Sequence, residues 1–247
     1  MIQFQEVEVI YPNQDAPALD GIDVTIQRGE FVVVHGPCGS GKTTLLKLLH
    51  RKVRPTRGRV LIDGRDVGLL SRAEIPLLRR NVVYLHQSPK LMLGYSLIEN
   101  VALPLRLRGE NQAVLMRRAR AALSDVGLLH NARKMATSVS PAVRQLTALA
   151  RSMVMAPSLL LADEPTGDLD PDVSAEVLDI LHRVHLRGTT VVMVTHEPEL
   201  LEGLYKRVIH LELGQIQSDE QPLHSVSPWL EDAEPRGAVQ VGSEVTT

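Results

Sequence analysis

The chain has 247 residues, of which 44% are hydrophobic and 23% are charged, and its formal net charge is −2 at pH 7. This size and apolar fraction suffice for a large globular core, built as one domain or as one domain with an insertion. The near-neutral charge and an aromatic content of only 3% argue against a basic, base-stacking surface, so we expect no nucleic-acid partner.

The first part of the chain predicts a sheet that leads into a helix. Residues 2–11 alternate between apolar and polar side chains, as in a half-buried strand, and residues 24–27 repeat this pattern. The continuous apolar run at 31–36 is typical of a strand that is buried on both faces. A glycine-rich loop follows it, and residues 43–52 then have the composition of a helix.

Strands and helical patterns alternate through much of the remaining chain. Further strands are expected at residues 59–63, 81–86, 158–163, 190–196 and 207–213. Because helical patterns lie between several of these strands, the sequence predicts an α/β protein with a sheet at its centre.

Residues 88–157 have a different character, since they contain helical patterns and no convincing strand. Helices are expected near residues 96–108, 111–127 and 140–154. We therefore predict a core of residues 1–87 and 158–217 and a helical subdomain of residues 88–157 inserted into it. Residues 218–247 hold six acidic side chains, one Arg and three Pro with little periodicity, which predicts a disordered tail.

A phosphate-binding motif joins the buried strand to the helix that follows it. The pattern G-x-x-x-x-G-K-[ST] is matched by Gly36, Pro37, Cys38, Gly39, Ser40, Gly41, Lys42 and Thr43. The glycines let successive backbone N–H groups curl around phosphate oxygens, and the helix adds its positive N-terminal dipole. Lys42 is expected to bridge the β- and γ-phosphates, the Thr43 hydroxyl to bind Mg²⁺, and Thr44 to contact the nucleotide. The alternative, a glycine-rich turn without a ligand, is disfavoured by this strand-to-helix context.

Two carboxylates follow another apolar strand. Asp163 ends the run SLLLAD and is placed to reach Mg²⁺, and Glu164 comes next, where it is expected to act as general base on the attacking water. By itself an Asp-Glu pair after a strand is more often a solvated turn or a helix cap. Its presence together with the phosphate loop favours the catalytic interpretation.

Cysteine usage and hydropathy bear on the compartment. The single cysteine, Cys38, excludes an internal disulfide and fits a reducing cytosol. No stretch reaches the roughly 18 consecutive apolar residues that span a bilayer, and the first residues lack the pattern of a signal peptide. We therefore expect any role at a membrane to come through a partner.

Together these residues resemble the ATP-binding subunits of ABC transporters over about residues 1–216. The run LLLADEPTGDLD at 159–170 looks like the Walker B motif and D-loop of that family. The resemblance implies a P-loop NTPase fold with a mixed sheet core and an inserted α-helical subdomain. It also implies ATP hydrolysis with ATP and Mg²⁺ bound.

Further site residues follow from that resemblance. Asp163 matches the Mg²⁺ carboxylate, Glu164 the catalytic base and Asp170 the D-loop residue at the interface of a dimer. His196 matches the switch histidine that contacts the γ-phosphate. Each of these residues also has an interpretation without a function; a lone histidine after a strand, for example, is more often a surface or capping residue.

Two more matches lie in the N-terminal half of the core. Gln87, in VVYLHQSP, matches the glutamine that senses Mg²⁺ and the γ-phosphate, and Tyr11 matches the aromatic residue that stacks on adenine. Alone, the glutamine would be unremarkable and the tyrosine would be assigned to the core. Their order and spacing relative to the phosphate loop favour the functional interpretation.

Within the family, the chain most resembles the cell-division subfamily of the FtsE type. Residues 75–87, 96–109 and 186–201 carry this similarity. It implies an ATP-dependent homodimer that pairs with an integral membrane partner, an FtsX-like permease, at the cytoplasmic face of the plasma membrane. There it would couple ATP cycling to control of peptidoglycan hydrolysis, alongside other division proteins. ATPases of lipoprotein-releasing or macrolide-export transporters remain alternatives.

The matching signature loop departs from the family pattern LSGGQ. The corresponding residues are Ser140, Pro141 and Ala142, so both glycines are absent. Ser is a preferred N-cap and Pro a preferred first helical residue, so a helix N-terminus is expected here. In the family this loop contacts the γ-phosphate of the ATP bound to the opposite subunit, so the resemblance implies that Ser140 and the Ala142 N–H face that phosphate. One lost hydrogen bond to a charged group costs about 1.5–3 kcal/mol, which predicts a slow ATPase. The alternatives are a helix start without a role across the interface, or a nucleotide-gated scaffold with little hydrolysis.

The family grips a cytoplasmic helix of its membrane partner beside the residue that Gln87 matches. Residues 91–109 correspond to this region and hold many apolar side chains. They can form the core of the helical subdomain or a groove for the partner, and we expect both, with core taking the larger share. His86, where many relatives carry Phe, is interpreted as a tolerated change in packing.

Overall fold

The computed structural model describes residues 2–167, 169–197 and 206–221, and the statements below refer to that part of the chain. Strands and helices alternate as predicted. In chain order the elements are β1 Ile2–Val9, β2 Leu19–Ile26, β3 Phe31–His35, α1 Lys42–Leu49, β4 Arg57–Ile62, β5 Arg65–Asp66, α2 Ile75–Asn81, β6 Val82–Leu85, α3 Leu97–Leu107, α4 Gln112–Asp125, α5 Pro141–Met153, β7 Leu159–Asp163, α6 Pro171–Leu186, β8 Thr190–Thr195, β9 Arg207–Glu212 and β10 Gln215–Glu220.

The larger sheet has six strands in the order β10-β9-β3-β8-β7-β6. Its strands run parallel except β10, which pairs antiparallel with β9. Strands β7 and β8 are buried along their whole length, and β3 is buried except at His35, as their continuous apolar runs predict. Because parallel strands end at one edge, the residues after β3, β6, β7 and β8 meet there.

A second sheet, antiparallel and four-stranded, has the order β2-β1-β4-β5. In β1 the apolar side chains alternate inward, from Ile2 and Phe4 to Val7 and Val9, with a shift of register between Phe4 and Val7. These side chains join those of α1 and one face of the larger sheet in a single apolar cluster. The cluster fixes α1, and with it the loop that precedes this helix.

The other face of the larger sheet packs against the helical subdomain. The three helices predicted within residues 88–157 are confirmed as α3, α4 and α5, with ends within three residues of those expected. Helix α3 begins with a capping box in which Ser96 and Glu99 bond each other's backbone N–H groups. The apolar faces of α3, α4, α5 and α6 pack on this face of the sheet and form the second apolar cluster. None of the helices in the three described ranges is both long and apolar enough to cross a bilayer.

The stretch 91–109 divides as expected. Six of its apolar side chains are core residues, and three that are at least half exposed lie at its ends; the core residues are Leu91, Leu97, Ile98, Val101, Ala102 and Leu105, and the exposed ones are Met92, Leu93 and Leu107. The larger share is therefore core, which confirms that part of the prediction.

The predicted start of the tail at residue 218 is wrong. Strand β10 continues to Glu220 and pairs with β9, and Asp219 forms a two-pronged ion pair with the buried Arg207, at 2.8 and 2.6 Å. A polar edge strand has the composition of a tail when it is averaged with the residues after it. The rest of the predicted tail, residues 222–247, lies outside the described residues.

Candidate active site

The loops at the carboxyl edge of the larger sheet surround one cleft. It brings together most of the predicted site residues and is lined by Tyr11, Gln14, Ala18, Cys38, Gly39, Ser40, Gly41, Lys42, Thr43, Thr44, Gln87, Glu164 and His196. Strand β3 supplies the phosphate loop, β6 supplies Gln87, β7 supplies Glu164 and β8 supplies His196. The cleft is therefore a product of parallel sheet topology and not of sequence proximity.

Two glycines of the loop have no room for a side chain. Gly36 has φ +152°, and a Cβ there would lie 1.9 Å from the backbone oxygen of Leu211. Gly41 has φ +105°, and its Cβ would lie 2.4 Å from the oxygen of Ala18. Both φ values are rare for L-residues, so conformation and space alike require glycine. The loop is thus held against β9 and the start of β2.

The side chain of Lys42 folds back onto the start of the phosphate loop. Its side chain is buried, at 6% exposure, and its Nζ donates to the carbonyl oxygens of Gly36 at 2.7 Å and Pro37 at 2.9 Å. These bonds offset the cost of burying an ammonium group. The positive charge consequently lies beside the loop N–H groups at the start of α1, where both favour an anion.

Thr43, which lines the cleft, bonds to Asp163 at the end of β7. The Thr43 hydroxyl donates to Asp163 Oδ1 at 2.9 Å, across 120 residues of sequence. Both side chains present oxygen donors, which Mg²⁺ prefers, so the pair fits that ion. The structure thus joins two of the three residues predicted to bind the metal, the third being Gln87.

Tyr84 is a site residue that sequence reasoning missed. Its hydroxyl donates to Asp163 Oδ2 at 2.6 Å. Burial, and then the bond to Asp163, raise the pKa of Tyr84, so its hydroxyl keeps the proton that it donates. The sequence offered one signal for this role, namely a tyrosine within the apolar run of a predicted strand.

Glu164 and His196 form the second pair. His196 Nδ1 lies 2.9 Å from Glu164 Oε2, and the backbone N–H of His196 donates to the same oxygen at 3.2 Å. Glu164 has φ +47°, an uncommon conformation for a side chain with a Cβ. Its own N–H donates to Val194 O at 3.0 Å, which anchors the residue to β8. Such strain is typical of residues whose position serves a function.

Gln87 and Tyr11 both line the cleft. Gln87 Nε2 would be 3.2 Å from a Cβ built on Gly167, so Gln87 rests against the loop that follows Glu164. The Tyr11 hydroxyl is 3.2 Å from Thr44 Oγ1, which places the ring beside the first turn of α1. Stacking of Tyr11 on adenine stays a prediction.

Six predicted residues are not part of the cleft lining. Gly36, Pro37 and Asp163 bond directly to the lining residues Lys42 and Thr43. The other three are Ser140, Ala142 and Asp170. Ser140 is the N-cap of α5, where its hydroxyl accepts from Val143 N at 3.4 Å, and Pro141 is the first helical residue. The predicted helix start is therefore confirmed. Asp170 occupies the N-cap position of α6, and both Ser140 and Asp170 are exposed. A role across a dimer interface stays a prediction.

Gln145 is the second residue that sequence reasoning missed. It is buried in the first turns of α5, at 2% exposure, and its Nε2 donates to Pro165 O at 3.0 Å. The helix that begins at Ser140 is thereby attached one residue beyond Glu164. A glutamine in the first turns of that helix was the only hint in the sequence.

Comparison with known proteins agrees with this geometry. A sequence profile described as ABC transporter matches residues 19–167, more than half of the chain. The chain is 44% identical over 220 residues to the cell division ATP-binding protein FtsE of Bacillus subtilis (strain 168), covering 89% of this chain and 96% of the relative. The chain belongs to the FtsE family of ABC ATPases.

Further relatives support the FtsE assignment. The FtsE of Mycobacterium tuberculosis is 38% identical over 221 residues, covering 90% of this chain and 96% of that protein. Among solved structures, the ATP-binding cassette MJ0796, in a dimeric post-hydrolysis state bound to ADP and Pi, has a TM-score of 0.82 at 29% identity. That match covers 90% of this chain and 98% of the cassette. The predicted fold and ATPase activity are thus confirmed for this FtsE-family chain.

Proposed function

We propose that the chain binds MgATP in the cleft and hydrolyses it with Glu164 as general base, in the service of bacterial cell division. One observation carries the chemical part: the Thr43–Asp163 pair and the Glu164–His196 pair occupy adjoining positions at one cleft edge, next to the Lys42 loop. This arrangement supplies a metal site, a base and a phosphate cradle within one cavity.

Each end of the nucleotide has its own partners in this proposal. The loop N–H groups and the Lys42 ammonium hold the β- and γ-phosphates, and Tyr11 stacks on adenine. Thr43, Asp163 and Gln87 hold Mg²⁺, which when bound neutralises charge on the phosphoryl group that is transferred. In this proposal Lys42, the loop N–H groups and Mg²⁺ balance the charge of the triphosphate.

Glu164 takes the proton of the attacking water. The hydrogen bonds that its carboxylate accepts from described residues both go to Oε2, from the ring and backbone of His196. That leaves Oε1 to accept the proton of water. His196 accordingly fixes the orientation of the base and faces the γ-phosphate side of the cleft.

We further propose that Ser140, Ala142 and Asp170 complete the site of a second copy. They lie outside the cleft of their own chain, and Ser140 and Asp170 are exposed. The N-terminus of α5 presents unsatisfied N–H groups, including that of Ala142, which favour a phosphate. The similar cassette MJ0796 is dimeric. In this proposal ATP binds between two copies of the chain and stabilises their dimer.

Ser140→Arg tests this dimer. We expect the variant to bind ATP within about twofold of wild type, to form no ATP-dependent dimer, and to hydrolyse ATP at least about tenfold more slowly. A long cationic side chain would fill the contact and replace a hydrogen bond worth about 1.5–3 kcal/mol. Light scattering after size exclusion, with and without ATP, measures the dimer, and phosphate release measures turnover.

Ser124→Arg is the matched control, since Ser124 is exposed on α4 and outside the described cleft. It should dimerise and turn over as wild type does. If Ser140→Arg behaves like this control, the N-terminus of α5 has no role across an interface.

For the membrane partner we propose a groove beside Gln87. Its lining includes the apolar side chains of Val83, Leu85 and Met155 and the cationic side chains of Arg79, Lys90 and Arg151. Burial lowers the pKa of His50 to about 3 and that of His86 to about 4, so these two lining histidines are neutral at pH 7. A cytoplasmic segment of an FtsX-like permease with apolar and acidic side chains fits this lining. The groove reaches within one residue of Gln87, so a docked segment is close to the nucleotide site.

Co-purification tests the partner. The chain is expressed together with the FtsX-type protein of the same genome. We expect the wild-type chain to be retained on membranes and the Arg151→Glu variant to remain in the supernatant. The Arg120→Glu variant, with the same charge change on exposed α4, is the control. Capture of a lipoprotein-releasing or macrolide-export permease instead would overturn the division role while leaving the ATPase proposal intact.

A further inference from the structure

The carboxylate of Asp163 is held at both oxygens. Thr43 donates to Oδ1 at 2.9 Å, and the hydroxyl of Tyr84 donates to Oδ2 at 2.6 Å. Tyr84 reaches Asp163 from β6, the strand that pairs in parallel with β7. A short O–H···O⁻ bond is among the strongest hydrogen bonds in proteins. Two donors from two different elements leave the carboxylate one orientation.

The ring of Tyr84 is itself held in place. Lys52 Nζ lies 3.9 Å from the ring centroid, and the His86 ring lies 4.5 Å away. Lys52 Nζ is also 3.2 Å from His86 Nε2, and the His50 ring meets Tyr84 edge-on at 5.4 Å. A phenol held by three neighbours cannot turn its hydroxyl away from Asp163 without moving them. The position of the hydroxyl is therefore determined by packing.

We propose that Tyr84 is a positioning residue for Asp163, one that sets the affinity of the Thr43–Asp163 pair for Mg²⁺ by fixing the orientation of the carboxylate. This rests on the proposed function, in which that pair holds the ion. Partners that orient a metal-binding carboxylate typically contribute ten- to a hundredfold to metal affinity. Because Tyr84 also lines the groove, the metal site and the proposed docking surface share one side chain.

The role of the hydroxyl can be separated from that of the ring. Tyr84→Phe retains the ring and removes only the donor, whereas a residue that merely filled the groove wall would tolerate this change. The matched control is Tyr95→Phe, which removes one hydroxyl from a partly buried tyrosine outside the cleft. A comparison of the two variants isolates the bond to Asp163.

The experiment is a titration of the full chain with Mg²⁺ in the presence of a fluorescent ATP analogue. Tyr84→Phe should raise the Mg²⁺ concentration for half-maximal binding about tenfold, and Tyr95→Phe should not change it. Affinity for the analogue in EDTA should stay within about twofold in both variants, since the carboxylate acts through the metal. A loss of affinity in EDTA equal to that in Mg²⁺ would indicate a general structural defect and overturn the proposal.

A double-mutant cycle with Asp163→Asn tests whether Tyr84 acts through that carboxylate. In the Asp163→Asn background, Tyr84→Phe should have no further effect on the Mg²⁺ requirement. An unchanged or tighter Mg²⁺ requirement in Tyr84→Phe alone would overturn the positioning role. Should that variant not melt cooperatively, 4-fluorophenylalanine at position 84 takes its place, since it fills the volume of the hydroxyl with a fluorine that cannot donate a hydrogen bond. A titration equal to wild type would then overturn the role.

Failure of the two proposals gives different results. If wild-type binding of the analogue does not depend on Mg²⁺, the proposed MgATP site fails. If wild type depends on Mg²⁺ and Tyr84→Phe does so equally, only the positioning role fails.

Discussion

Glu164→Gln should bind ATP with near wild-type affinity and hydrolyse it at least about a hundredfold more slowly. Glutamine has the shape of glutamate, so the contact with His196 that now measures 2.9 Å can be kept in modified form. Its amide cannot accept the proton of the attacking water, and the step that needs a base is lost. Phosphate release measures turnover, and a fluorescent ATP analogue measures binding.

The neighbouring carboxylate Glu197 provides the control. Its Oε1 lies 3.5 Å from His196 Nε2, so it contacts the same histidine from the other side. Glu197→Gln should hydrolyse ATP at close to the wild-type rate, because the proposed base is still present. Wild-type turnover in Glu164→Gln would remove Glu164 from the mechanism and direct attention to other groups of the cleft.

Gly36→Ala should lose ATP binding and about 2–6 kcal/mol of folding free energy. Its Cβ would lie 1.9 Å from the oxygen of Leu211, a backbone atom that cannot move without displacing β9. Overpacking of this kind costs typically about 1–3 kcal/mol, and a rare φ for a residue with a Cβ adds about 1–3 kcal/mol. Urea denaturation measures the free energy of unfolding, with an unchanged m-value as the check on two-state behaviour.

Gly64→Ala separates the two contributions. Gly64 has φ +77° in the turn between β4 and β5, with nothing within 4 Å of a built Cβ. This variant should lose only the conformational part, about 1–2 kcal/mol, and should still bind ATP. An equal loss of unfolding free energy in the two variants would mean that β9 shifts to accommodate the Cβ at position 36. The close approach at Gly36 would then not be what holds the loop.

Much of the fold was predictable because its signals are local. Continuous apolar runs indicated β3, β7 and β8, and the capping preference of Ser140 indicated the start of α5. Helix α2 was missed because it has seven residues, none of them buried, and so no amphipathic pattern. Strand β10 was missed for a similar reason, since its residues are exposed or half-buried and its stabilising partner, Arg207, lies on another strand.

The cleft was predictable to the extent that its residues follow strands of one parallel sheet. The motif around Lys42 predicts its chemistry from spacing alone, and the pair Asp163–Glu164 predicts its chemistry only together with that motif. Tyr84 and Gln145 could not be found in this way, because their partners lie 79 and 20 residues away and depend on how elements pack. The sequence therefore predicts which groups perform the chemistry better than it predicts which groups hold them.

The buried amide of Gln145 has a consequence for a dimer of this chain. It ties the helix that begins at Ser140 to the carbonyl of Pro165, next to Glu164. In the proposed dimer, the phosphate gripped by that helix belongs to the other copy. Each copy would thus sense the occupancy of its neighbour through the placement of its own base, and ATP hydrolysis should depend on ATP concentration with a Hill coefficient above one.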